Sequence, residues 1–174
     1  LLLGSHNQTN CAIATQAVTP FGVSEDEARH AIKTFVPIRN QNVGTYRGIT
    51  FYDDELATIP EATFATIASL PRVDTIILGG QDRGISFTEA AEKFVALPIS
   101  TFITFPDTGA KMVAKVTNRT IVSAASMEEA VRAAFEHTPE GGTVLLSTAS
   151  PSFSLFKDYK DRSAQYRHWI KKLT

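Results

Sequence analysis

Val73-Asp74-Thr75-Ile76-Ile77-Leu78-Gly79-Gly80-Gln81-Asp82-Arg83-Gly84 decides how this chain is read. Its first half, Val73 to Leu78, is a short β-branched and aliphatic run with no polar alternation at Ile76-Ile77-Leu78. Such a run fits a strand covered on both faces, as in a parallel sheet flanked by helices. The two glycines after it let the backbone approach a neighbour or a ligand where a Cβ would intrude. They are not a dinucleotide fingerprint, because the spacing of G-x-G-x-x-G is missing.

Outward from this stretch, strands are predicted at Asn42–Tyr46, Ile49–Tyr52, Ile99–Phe105, Thr120–Ser123 and Thr143–Ser147. Only Arg47-Gly48 separates the first two, which predicts a tight hairpin. Helix starts are marked by a Ser or Thr three residues ahead of Glu or Gln, at Ser5/Gln8, Ser24/Glu27, Thr58/Glu61, Ser86/Glu89 and Ser126/Glu129. After Ser24, the residues Ala28, Ala31, Ile32 and Phe35 form one apolar stripe, and Pro37 ends that helix near Phe35. A last helix, about Lys160 to Leu173, puts Tyr166, Trp169, Ile170 and Leu173 on one side. The expected fold class is α/β: a Rossmann-like, mostly parallel sheet with helices on both faces, preceded by a helical segment. A seam at Val36-Pro37-Ile38-Arg39 divides helical residues 1–35 from an α/β domain at 36–174.

Composition narrows the function. The 174 residues are 43% hydrophobic, enough for one substantial core. A net charge of −1 gives no electrostatic case for nucleic acid or an anionic membrane surface. Cys11 is the only cysteine, so no intrachain disulfide can form, a zinc cluster is not expected, and a small apolar group on a helix face is its simplest role. That cysteine count points to a cytosolic origin. No apolar run approaches the roughly 20 residues of a membrane span, and Leu1-Leu2-Leu3 is too short for a signal-peptide core. The absence of an initiator Met suggests a piece of a longer polypeptide.

If the strands are parallel, three loops open on one sheet edge, where α/β folds bind ligands. The first holds Tyr52-Asp53-Asp54-Glu55-Leu56-Ala57-Thr58. Asp54 there can accept from sugar hydroxyls or serve as a turn carboxylate, and Thr58 is the expected N-cap of the next helix. In the second, Arg83 offers a forked donor set for a carboxylate or phosphate, although a solvated surface position is ordinary for a lone arginine. The third, Ser147-Thr148-Ala149-Ser150-Pro151-Ser152-Phe153, leads to Phe156-Lys157-Asp158-Tyr159 and supplies hydroxyls beside a helix start. Asn7 and Asn10 share a helix face and can read donors and acceptors together, or simply face solvent. There is no phosphate-binding loop ending in Gly-Lys-Ser/Thr, no G-x-S-x-G elbow and no metal spacing among the four histidines. His30, His137 and His168 are expected to face solvent from helices. The chain reads as half of an active site.

Together these motifs resemble the Mur ligase family, in the C-terminal part of its members that add D-glutamate to UDP-N-acetylmuramoyl-L-alanine. Leu3-Gly4-Ser5-His6-Asn7-Gln8-Thr9-Asn10 is similar to the family's G-x-H-N-x-x-N segment, Arg39 matches the seam arginine, and the three loops follow in order. The resemblance implies ATP-dependent amide ligation in a bacterial cytoplasm, by a monomer. Residues 1–35 would close the central ATP-binding domain, and residues 36–174 would form the C-terminal domain. It implies that Asn7, Asn10, Arg39 and Asp54 contact the adenosine part of ATP. Thr58, Arg83, Ser152, Phe153 and Tyr159 would surround D-glutamate. ATP, Mg2+ and UDP-N-acetylmuramoyl-L-alanine would be held mostly by domains outside this chain, which carries no catalytic residue and is inactive alone. Glu55, Leu56, Ile38 and Thr148 depart from the Ser, Lys, His and Pro usual in the family. Those departures keep open a second expectation, a non-catalytic α/β binding module.

Overall fold

The computed structural model describes residues 5–35 and 40–174. Arg39 and the rest of the seam at 36–39 lie outside the described residues, as do Leu3 and Gly4. Two helices come first, α1 (Ser5–Val18) and α2 (Glu25–Thr34). The Ser24/Glu27 pair forms the expected reciprocal cap: Ser24 Oγ accepts from Glu27 N–H and the Glu27 carboxylate accepts from Ser24 N–H at 2.8 Å. Phe35, at the end of α2, is extended, so the helix stops where the sequence reading placed its end. The side chain of Ser5 lies outside what is described.

The α/β part begins with a hairpin, β1 (Gln41–Tyr46) and β2 (Ile49–Asp53), paired antiparallel through the Arg47-Gly48 turn. There follow α3 (Pro60–Ser69), β3 (Thr75–Gly80), α4 (Thr88–Ala96), β4 (Thr101–Asp107), the single turn α5 (Gly109–Met112), β5 (Thr120–Ser123), α6 (Met127–His137), β6 (Thr143–Leu146) and α7 (Tyr159–Lys172). The strands lie in the order β1-β2-β6-β3-β4-β5, and all pairs but the first are parallel. The expected α/β class, a mostly parallel sheet behind a helical segment, is what the chain adopts.

Each sheet face buries its own core. On one, Phe51, Ile77, Ile103, Val144 and Leu146 pack against Met127, Val131 and Ala134 of α6 and Tyr166 and Ile170 of α7. On the other, Ile76, Leu78, Phe102 and Leu145 meet Leu70 after α3, Phe94 of α4 and Met112 of α5. Ile76, Ile77 and Leu78 are each fully buried, which explains the unbroken apolar run.

Strand ends differ from the sequence reading. The third strand runs on to Gly80 and the fourth to Asp107, because Gly80 still pairs with Asp107 beyond a bulge at Leu78/Gly80. Two helix starts also need correction. Thr58 does not cap α3: the cap position is Ile59, without a side-chain hydrogen bond, and Pro60 at the first helical position begins the helix instead. The Ser86/Glu89 pair likewise makes no box, because α4 starts at Thr88 and Glu89 pairs with Lys93 at 2.7 Å. Ser126 does accept from Glu129 N–H.

Candidate functional site

β6 lies between β2 and β3, and its following helix α7 covers the opposite face from α3 and α4. The chain therefore parts to both sides of the sheet at the carboxyl ends of these three strands. That is the topological switch point where doubly wound sheets open a crevice. The three loops of interest meet there.

Asp54 continues the β2–β6 ladder, its N–H donating to Leu146 O at 2.8 Å. Its side chain is fully buried, and Oδ2 accepts from Thr66 Oγ1 at 2.6 Å and Ser147 Oγ at 2.9 Å. Ser147 Oγ also lies 2.9 Å from Thr63 Oγ1. A buried carboxylate surrounded by hydroxyl donors ties β2, α3 and the β6 loop together. Asp54 thus sits inside the loop bases, not on their rim.

On the rim, Arg83 Nη2 donates to Thr58 O at 3.1 Å, joining the β3 loop to the β2 loop. The β3 and β6 loops are laced by Gly79 N–H to Thr148 O and Gln81 N–H to Pro151 O, both 2.9 Å. Thr108, past β4, adds a third strand end: its Oγ1 bonds Gly80 O at 2.9 Å and Ser150 Oγ at 2.8 Å. Ser152, in the β6 loop, is buried, Phe153 is 63% exposed, and Tyr159 opens α7 half-buried. Asp82, beside Arg83, forms an ion pair with Lys111, whose hydrogen bond holds the Asp82 carboxyl below its ordinary range. Thr58, Arg83 and Ser152 therefore share one edge, reached from three strands.

Asn7 and Asn10 stand apart from this edge, on α1. Asn10 Nδ2 is 3.5 Å from Asn7 Oδ1, so they share a face as the spacing requires. They border an apolar groove of about 350 Å³ lined also by Cys11, Ala14, Ala31, Ile32 and Phe35. Among the described residues no group of three His, Cys, Asp or Glu side chains could hold a metal ion, and no helix is long and apolar enough to cross a membrane.

Two residues that matter here were not singled out from sequence. Arg162 of α7 is 1% exposed and donates into both the β2 and β6 loops. The one hint was a cation in the first turn of a helix, against the dipole. Asp53, the last residue of β2, is also 1% exposed; it accepts from Ser163 Oγ and from Arg167 at 3.1 Å. Burial dominates and raises its carboxyl above the ordinary 3.8. The neighbouring Glu55 carboxyl is raised as well, burial first, with the Asp53 charge adding.

A raised native carboxyl binds its proton more tightly than the unfolded chain does. The stability Asp53 contributes is then full below about 3.8 and is lost as pH climbs through its higher native value. Wild type minus Asp53→Asn stability, from urea unfolding, is accordingly expected to fall between pH 4 and pH 7. A constant difference would show that the carboxyl is not raised.

A family model described as "Mur ligase, glutamate ligase domain" matches residues 38–150. The chain belongs to the Mur ligase family. It is 32% identical over 173 residues to a UDP-N-acetylmuramoylalanine–D-glutamate ligase of Cytophaga hutchinsonii, covering 97% of this chain and 38% of that protein. It is 33% identical over 180 residues to a UDP-N-acetylmuramoyl-L-alanine–L-glutamate ligase of Salinispora tropica, covering 98% of this chain and 40% of that protein. The chain thus spans about two fifths of these Mur ligases. The fold is also that of the MurF ligase from Thermotoga maritima, solved in complex with ADP, at a TM-score of 0.62 and 14% identity, covering 91% of this chain and 37% of that one.

Proposed function

We propose that this chain is the amino-acid-delivering part of an ATP-dependent acid–amino-acid ligase of peptidoglycan precursor synthesis, working in a bacterial cytoplasm. Residues 1–35 form the last helices of its ATP-binding central domain, and residues 36–174 its C-terminal domain. The meeting of the Thr58, Arg83 and Ser152 loops at the switch point carries this reading. Glutamate has two carboxylates and one reacting amine. Arg83 pairs with one carboxylate, while Ser152 Oγ and the backbone N–H groups where α7 begins at Tyr159 receive the other. Phe153 and Tyr159 shape the walls. The amine stays free to attack an acyl phosphate made from UDP-N-acetylmuramoyl-L-alanine, and holding it there converts an encounter into an oriented attack.

On the α1–α2 side, the apolar groove with two amides at its margin fits a flat base, and Asn7, Asn10 and Arg39 take the adenosine part of ATP. Asp54 reaches the ribose by exchanging its Thr66 and Ser147 hydroxyl partners for sugar hydroxyls. The phosphates and their Mg2+ are assigned to the remainder of the ligase. D-glutamate is the amino acid favoured here. The L-glutamate ligase among its relatives makes the enantiomer pair the first comparison to run.

The purified 174-residue chain is expected to release no phosphate from ATP. The full reading frame should do so only when glutamate and the nucleotide precursor are both supplied. Turnover by the chain alone would overturn the proposal. One observation favours a second reading, a non-catalytic module: Leu56 is half-buried where the family has Lys, so a cation is lost from the first loop. A full-length protein without a Gly-Lys-Ser/Thr phosphate loop upstream would decide for that module.

A further inference from the structure

Arg162 heads the most voluminous fully buried side chains among the described residues. Its Nη1 donates to Thr148 Oγ1 at 2.7 Å and Ser150 O at 3.2 Å, and its Nη2 donates to Glu55 O. Each of these acceptors is neutral. The carboxylates of Asp53, Glu55 and Asp54 support the charge only from farther off, and burial pulls the guanidinium down to about 10. A buried cation without a hydrogen-bonded carboxylate is an expensive way to fill space. What the planar fork achieves, and an apolar group does not, is to hold two separate loops at once.

The gripped segment is itself strained. Ala149, between Thr148 and Ser150, has φ +53 and is fully buried. A non-glycine residue stays in that region only where its surroundings over-determine it. Gly79 N–H holds Thr148 O on one side of the kink. Arg162 holds Thr148 Oγ1 and Ser150 O across it. Past the kink, Ser150 Oγ meets Thr108 Oγ1 and Pro151 O accepts from Gln81 N–H, and the chain runs on to Ser152. At its other end the fork grips Glu55 O, three residues before Thr58, whose carbonyl receives Arg83.

We infer that Arg162 is a positioning residue: without touching substrate, it fixes the spacing between the Thr58–Arg83 wall and the Ser152 wall, and so sets affinity for the two carboxylates of the incoming amino acid. The inference rests on the amino-acid reading of this edge. In the full-length protein, Arg162→Gln is expected to raise the glutamate KM at least tenfold and leave the ATP KM within twofold. The Gly79 and Gln81 amides, whose acceptors lie in the gripped loop, should exchange at least tenfold faster. Arg162→Lys keeps the charge without the fork and should fall between wild type and Gln. Thr148→Val removes one acceptor and should raise the glutamate KM about threefold. Unchanged KM and exchange in Arg162→Gln would overturn the inference, as would an ATP KM rising in step with that for glutamate. Should Arg162→Gln fail to fold, Thr148→Val decides by the same two readouts, and wild-type values would overturn it. If wild type ligates no glutamate, the functional reading fails, while amide exchange still judges the clamp.

Discussion

Gly80→Ala is expected to destabilise the fold by about 3 kcal/mol or more, the largest stability effect of any single methyl addition at the crevice. A Cβ built on Gly80 would stand 2.3 Å from Pro151 O, a contact no real Cβ tolerates, and the obstacle is backbone, not a movable side chain. The same carbonyl accepts from Gln81 N–H, so relief by withdrawal breaks the lacing of the β3 and β6 loops. Gly80 also has φ +152, which adds conformational strain for an alanine. Overpacking costs about 1–3 kcal/mol and a disfavoured backbone region about 1–3 more. For a chain of this size the melting temperature should drop by roughly 6–12 °C. Gly84→Ala is the control: φ is +76 there but nothing lies within 4 Å, so strain acts alone and should cost only about 1 kcal/mol. Equal melting temperatures for the two variants would show that the close approach at Gly80 is not tight.

The same approach explains which parts of this molecule could be read from sequence. Ile76-Ile77-Leu78 was legible because burial on both faces leaves a local mark, an apolar run without alternation. The caps at Ser24 and Ser126 were legible because both partners sit three residues apart. Thr58 has the same spacing to Glu61, yet Pro60 at the first helical position begins the helix without a side-chain cap; the rule was right and a stronger local device outranked it. Strands three and four extend past their apolar runs because Gly80 and Asp107 pair with each other, a fact about neighbours and not about either segment. The role of Arg162 left only that one hint for the same reason: one acceptor, Glu55 O, lies 107 residues away. The burial of Asp54 likewise depends on Ser147, 93 residues distant. The strand ends that carry the candidate site were local information; the network that stiffens them was not.

On the proposed function, Arg83→Ala in the full-length protein is expected to raise the glutamate KM tenfold to a hundredfold, the size of losing one charge-assisted hydrogen bond to a carboxylate. Arg83 is exposed, and its Nη2 reaches Thr58 O. A neutral carbonyl partner leaves the cation's charge available, so a carboxylate arriving between the loops gains an ion pair without first displacing one. Asp82 does not compete, because it is engaged by Lys111. The effect should therefore appear in KM for the amino acid while KM for ATP holds, with kcat falling only as far as the amine is misplaced. Arg83→Lys keeps the charge but loses the fork, and should recover part of the loss. Ser152→Ala removes a hydroxyl from the opposite wall; combined with Arg83→Ala, the two penalties should add if each holds a different carboxylate. Removing the side-chain carboxylate from the substrate supplies the crossed test. An analogue with one carboxylate should be insensitive to one of the two substitutions and fully sensitive to the other. Equal sensitivity to both would place Arg83 and Ser152 on the same group and collapse the two-walled site.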